Sequence, residues 1–223
     1  MSEFLPLPNI DRLRESTPSI SEIQVVKRRE KLLRIQKVAG AHPADWNEWR
    51  SFGPLNFRFD HHLPPPHNQD RAIAYFALGK EAFTTALGEV FQDESGAGVY
   101  PVDVFTGEPT VSIVALTREL RVLDLGGSWI TRAGGNQAIN TGSRAVSRQW
   151  SAAIYELYGD MVSGVSYPSS VYGPGRCVAL FQSAATAIGS APLANRLLND
   201  PSMEGPLATA IEHLGTHIKL LDI

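Results

Sequence analysis

Hydrophobic positions change period several times along the chain. In ArgAlaIleAlaTyrPheAla (71–77) the alternation is that of a strand, with Arg71, Ile73 and Tyr75 on one face. After Gly79 the period lengthens: Ala82, Phe83, Ala86, Leu87, Val90 and Phe91 form one helical stripe, with Glu89 at its edge. A second helix is marked by Val146, Trp150, Ala153, Ile154 and Leu157, with Ser143 as a cap and Gly159 as a stop. Short β-prone runs cover Val99–Phe105, Thr110–Leu116, Glu119–Leu125, 162–167 and 177–181. Residues 1–18 read as an extended arm, and a basic helix is expected from Ser19 or Ser21 to Val38, ended by Gly40. Further helices are expected near Pro192–Leu198 and Pro206–Leu214, before an apolar end at 218–223. Residues 41–55, with Trp46, Trp49 and Phe52, read as a loop closing the core, and 128–142 as an irregular Gly-rich segment.

A length of 223 residues suits one well-cored domain with an extension, divided as an arm and helix over 1–50 and the main domain over 51–223. The net charge of −3 gives no nucleic-acid footprint, since phosphate binding asks for a basic excess. No apolar run approaches a bilayer span, and the first residues lack the pattern of a signal peptide, so a cytoplasmic protein is expected. One cysteine, Cys177, permits no internal disulfide and fits a reducing compartment.

Candidate chemistry gathers around residues 56–92. Ala82 and Ala86 leave room around Glu89, which can look into a cleft; an ordinary solvated rim glutamate is the plainer reading. Ser169 falls at a strand end beside a turn, where it can face a ligand or simply bond the turn backbone. His61, His62 and His67 share a loop stiffened by ProProPro and lack a cysteine partner, and His213 and His217 have no third ligand, so no metal is expected. Cys177 opens an apolar strand and reads as a small hydrophobe. The chain has neither a dinucleotide fingerprint nor a P-loop, and no nucleophile elbow surrounds Ser169.

The order PheArgPhe (57–59), ArgXaaXaaXaaTyr (71–75), ThrAlaLeuGlyGluValPhe (85–91) and TyrProSerSer (167–170), followed by a strand ending in Phe181, resembles the RES domain family. The resemblance runs from about Asn56 to Phe181, and one departure is Asp70 where the family often has Gly before the second arginine. It implies an α+β domain similar to ADP-ribosyltransferase toxins, with a split, bent β-core and an NAD-binding cleft. It also implies the toxin of a toxin–antitoxin pair, with an Xre-like antitoxin covering the cleft; a homodimer stays open. Carried onto this chain, the catalytic residues are Arg58, Glu89 and Ser169, and NAD is bound by Arg58, Arg71, Tyr75 and Ser169.

Those residue types suit cleavage of the nicotinamide–ribose bond. The leaving group is already cationic, so the reaction asks for positioning and for charge stabilisation of an oxocarbenium-like state. Glu89 is expected to stabilise that charge or hold a ribose hydroxyl, Arg58 and Arg71 to grip pyrophosphate or incoming inorganic phosphate, Tyr75 to stack on nicotinamide and Ser169 to orient a ribose or amide group. Phosphate, water or a protein side chain could accept the ADP-ribose, which gives an NAD phosphorylase, an NAD glycohydrolase or a mono-ADP-ribosyltransferase. A catalytically silent module that binds a partner through the basic stretch at 21–38 is the alternative of another class.

Overall fold

The computed structural model describes residues 4–91 and 105–215. Its centre is β4 (His67–Leu78), a strand of 12 residues whose two faces are both covered. Around it are β1 (Ile23–Val26), β2 (Lys31–Lys37), β3 (Arg50–Gly53), β5 (Pro109–Ala115), β6 (Leu120–Asp124), β7 (Gly164–Pro168), β8 (Arg176–Phe181) and β9 (Ala194–Leu197). The spatial order is β1-β6-β7-β8-β4-β2-β5-β9, with β3 pairing β4 off this path. Among the described residues only β6 and β7 run parallel. Their crossover carries α3 (Trp129–Arg132), α4 (Ala138–Thr141) and α5 (Arg144–Tyr158).

Because Ile73, Tyr75 and Ala77 share one face of β4, that face meets two separate helical layers. Towards β6, β7 and β8 it is covered by α5, whose Trp150, Ala153 and Ile154 pack on Leu123, Val165, Ala179 and Phe181. Towards β2 and β5 it is covered by α2 (Ala82–Phe91) and α6 (Glu204–Leu214), through Ala86, Leu87, Leu207 and Ala210 against Leu33, Ile35 and Val111. The opposite face buries Leu32, Phe76, Val114, Val122, Val178 and Leu180 under Ala184, Ala187, Trp46 and Trp49. Phe52, expected with those tryptophans in the core, is exposed.

The short α1 (Ile10–Glu15) belongs to an N-terminal arm that lies across α3 and α5. Trp150 Nε1 donates to Pro6 O (2.7 Å), Trp129 Nε1 to Ser16 O (2.8 Å), and the Tyr158 hydroxyl to Leu13 O. Both indoles are fully buried, so these carbonyls supply the acceptors that such N–H groups need.

The helix expected over 19/21–38 is corrected by the structure. That stretch forms a 3-10 turn at Ile20–Glu22 and then β1 and β2, which pair with β6 and with β4 and β5. Arg29, at φ 69°, turns the chain between them. β2 buries Leu32 on one face and Leu33 and Ile35 on the other, so its apolar residues do not alternate and imitate helical spacing. Residues 23–37 are thus part of the sheet, not an appendage to it.

The helix expected near Pro192–Leu198 is likewise the edge strand β9, paired to β5 from Thr110↔Leu197 to Ile113↔Ala194. The loop expected over 41–55 contains β3, and the irregular 128–142 segment contains the single-turn helices α3 and α4. The strand expected over Val99–Phe105 falls, save for Phe105, outside the described residues, as do His217 and the apolar end. Among the described residues no helix is long and apolar enough to cross a membrane.

Candidate functional site

The seam between the two helical layers holds the polar cluster. Glu89 extends from the last turn of α2 toward the loop after β7. Its Oε1 accepts the Ser169 hydroxyl (2.6 Å) and the Ser170 backbone N–H (3.2 Å). Ser169 Oγ in turn accepts the N–H groups of Val171 (3.2 Å) and Tyr172 (3.0 Å), which fixes the direction of its own proton toward the carboxylate.

Two glycines make this approach possible. A Cβ on Gly88 would lie 3.1 Å from Val171 Cγ1 and 3.2 Å from Leu214 Cδ2, so the bare backbone lets the serine loop and α6 settle closely on α2. At Gly175, whose carbonyl accepts the Ser169 N–H (2.9 Å), a Cβ would lie 2.3 Å from Thr85 Oγ1. Behind the loop, the Tyr172 hydroxyl donates to Glu81 (3.2 Å) and its ring is parallel to that of His213.

Arg58 comes from the loop between β3 and β4. It donates to Gly142 O (2.6 Å), and burial together with the nearby Arg144 charge lowers its pKa, against the opposing pull of Glu89 and Tyr167. A guanidinium held this way keeps donors for an anionic ligand that would relieve its unfavourable surroundings. The same loop is bound to the start of α5 by Arg144 to Asn56 O and Arg148 to Asn56 Oδ1, both at 3.4 Å. Arg58, Arg144 and Arg148 therefore make a cationic rim, of which the motif order reveals only the first. The i, i+4 spacing of Arg144 and Arg148 at a helix start was the signal for the other two.

Beneath the rim sit two tyrosines. Tyr75 stacks on the exposed Phe57 (centroids 5.4 Å apart, 28° between planes), and burial pushes its phenol pKa upward. Tyr167 packs on Phe59 at 4.4 Å, and its pKa is raised by burial first and then by Cys177 and Glu89. Both stay neutral phenols. Tyr167 is a site residue that lay inside the TyrProSerSer motif without being singled out. Cys177 beside it is buried, with a thiol pKa raised by that burial and by Glu89, as a packing residue and not a nucleophile.

The loop itself is anchored from below. Asp60 accepts Leu55 N–H (2.6 Å), pairs with Arg50 (2.9 Å) and bonds His62 Nδ1 (2.5 Å). Burial alone would raise its pKa, but these partners bring it down to about 2. His67 bonds Pro65 O (2.6 Å), apart from His61 and His62.

The structure thus brings Arg58, Tyr75, Glu89 and Ser169 to one seam and does not bring Arg71 there. The Arg71 guanidinium donates to His61 O (2.9 Å), pairs with Glu156 and lies 4.8 Å over the Tyr155 ring. All three partners belong to the wall formed by α5 and the histidine loop. Beside the cluster opens a hollow of about 530 Å³, lined by Gln137, Ala138, Asn140, Thr141, Gly142 and Pro168. Gly142 is the acceptor of Arg58 and Pro168 precedes Ser169, so hollow and cluster are neighbours.

The chain is a mixed α+β domain with a bent, open sheet flanked by helices. A chain of the M. tuberculosis MbcT–MbcA toxin–antitoxin complex is similar to it in fold, with a TM-score of 0.56 over 93% of this chain and 97% of that one at 16% identity. No family model and no curated protein matches the sequence.

Proposed function

We propose that this protein is the toxin of a toxin–antitoxin pair and cleaves the nicotinamide–ribose bond of NAD. The observation that carries the reading is the Glu89–Ser169 hydrogen bond, which joins two of the motifs behind the RES resemblance, with the Arg58 of a third near enough to feel the Glu89 charge. The fold shared with a chain of a toxin–antitoxin complex supports the same class.

In this reading Arg58, with Arg144 and Arg148 in the place expected of Arg71, holds the pyrophosphate. Glu89, oriented by Ser169, faces the nicotinamide ribose. The C1–N bond breaks with its electron pair going to the pyridinium nitrogen, which leaves as neutral nicotinamide. The ribose becomes oxocarbenium-like, and the Glu89 carboxylate stabilises that charge. Attack by water then yields ADP-ribose and a proton; attack by inorganic phosphate yields ADP-ribose-1″-phosphate. Tyr75 and Tyr167 supply a neutral aromatic floor for the nicotinamide ring. Phe52, Leu55, Phe57 and Leu63, all exposed along the segment that carries Arg58, give an apolar rim on which an antitoxin can close the cleft.

NAD turnover by the purified protein, with and without inorganic phosphate, tests the proposal. Loss of NAD that disappears in Glu89→Ala is expected, and acceleration by phosphate identifies phosphorolysis. Unchanged NAD under both conditions would refute it as a hydrolase or phosphorylase. ADP-ribose adducts on cell proteins, seen by mass spectrometry, would then show a protein acceptor.

A further inference from the structure

The two edges of the sheet differ. At β1 the edge closes off within a few residues: the Ile23 N–H turns back to Ile20 O, the Lys27 carbonyl accepts from Glu30 N–H (3.0 Å), and Lys27, Arg28 and Arg29 follow in a row. Charge and brevity of this kind keep an edge strand single. At β9 the edge is open. Among the described residues this strand pairs with β5 alone. Leu198 N–H donates to Pro109 O (2.7 Å), which makes Arg196↔Val111 and Ala194↔Ile113 the hydrogen-bonded pairs. The Asn195 N–H and C=O and the Leu197 N–H are thereby turned away from the sheet.

The side chains along that edge match one another. Leu193, Asn195 and Leu197 fall at alternate positions and share one face, and the two leucines are 59% and 41% exposed. Asparagine is a poor strand former, and this one is held by a ladder: Gln36 Nε2 donates to Ser112 Oγ (2.7 Å), and Ser112 Oγ donates to Asn195 Oδ1 (2.8 Å). With its oxygen engaged from the sheet side, the amide presents Nδ2 at the open edge. A twofold axis through Asn195 sets this residue opposite its own copy, Leu193 opposite Leu197, and Arg196 opposite the small Ala194. An axis through Arg196 would instead set two guanidiniums face to face.

We propose that β9 is a self-association edge, at which two copies of this chain join their sheets antiparallel about Asn195. The Asn195 N–H and C=O groups bond reciprocally, each Leu197 N–H reaches Leu193 O of the second copy, each Asn195 Nδ2 reaches Oδ1 of the other, and a Leu–Leu pair lies on either side of the axis. In the sheet β8, β4, β2 and β5 stand between β9 and β7, so this pairing leaves the Glu89–Ser169 seam uncovered and does not depend on the reaction performed there.

Sedimentation velocity of the full chain, over a dilution series from near-millimolar to micromolar, tests the assignment. A concentration-dependent dimer is expected. Leu193→Lys combined with Leu197→Lys sets lysine opposite lysine at two exposed positions and should weaken the dimer roughly tenfold or more, with an unchanged circular dichroism spectrum. Asn195→Cys should give a disulfide-linked dimer under copper-catalysed air oxidation, since facing Cα atoms about 5.5 Å apart suit that bond, and Arg196→Cys should not. Cys177 is buried and does not compete. A monomer at every concentration, a dimer that survives the double lysine variant, or cross-linking at 196 as strong as at 195 would overturn the assignment.

Discussion

His61 sets how the fold responds to mild acid. Its ring is fully buried, lies 4.3 Å from Tyr155 and 4.8 Å from Phe181, and has no hydrogen-bond partner at either nitrogen. Burial first, then the His62, Arg71 and Arg50 charges, lower its pKa from 6.5 to about 3, with Asp60 opposing. A lowered histidine pKa means that the unfolded chain binds a proton which the folded chain refuses, so stability falls as pH drops below 6.5 and continues to fall toward about 3. Between pH 7 and 5 the loss from this one group comes to about 2 kcal/mol. Depressed carboxylates such as Asp60, at about 2, lose their contribution only in stronger acid, which leaves this window to the histidine. Urea unfolding followed by circular dichroism at pH 7, 6 and 5 measures the slope. His61→Phe keeps an aromatic ring between Tyr155 and Phe181 and should flatten it. A drop of the same size in the variant, or a level profile in the unmodified protein, would show that His61 does not govern this range.

Two further outcomes bear on the seam. Ser169→Ala removes the hydroxyl that holds Glu89, a charge-assisted bond of about 1.5–3 kcal/mol, so NAD turnover should fall roughly tenfold to a hundredfold, mainly in kcat, with partial recovery in Ser169→Thr; equal activity of the alanine and threonine variants would remove the serine from the mechanism. Gly175→Ala drives a methyl into Thr85 and should cost about 1–3 kcal/mol in thermal unfolding, with part of that returned when Thr85→Ala is added; strict additivity of the two changes would mean that no contact is shared.

The helix at 144–158 was legible because it has one buried stripe, the helix at 82–91 because apolar residues recur at helical spacing even though it is buried nearly all round and Val90 is exposed, and β4 because its flanking punctuation is strong. β1 and β2 were not, since a strand buried on both faces loses its alternation and a basic composition favours reading a solvated helix. Ile23, Val25, Val26 and Ile35 carried the contrary signal through β-branching. β9 was hidden by its brevity and by pairing that only tertiary structure supplies. In the site, motif order named Arg58, Glu89 and Ser169, residues that the fold brings to one seam. It gave Arg71 a grip on pyrophosphate or phosphate; Glu156 and the His61 carbonyl, which take its donors in the fold, are distant in sequence, and no local pattern announces them. Tyr167 escaped for a related reason: its place beside Phe59, Cys177 and Glu89 exists only after folding.

Glu89 and Ser169 are 80 positions apart, and β8, which follows the serine loop, is the strand that joins β7 to β4. A growing chain therefore has its glutamate long before it has the strand that brings the serine to it. Any fragment that stops before Phe181 lacks the completed seam. Under the proposed function, the nascent polypeptide lacks the assembled site through most of its synthesis.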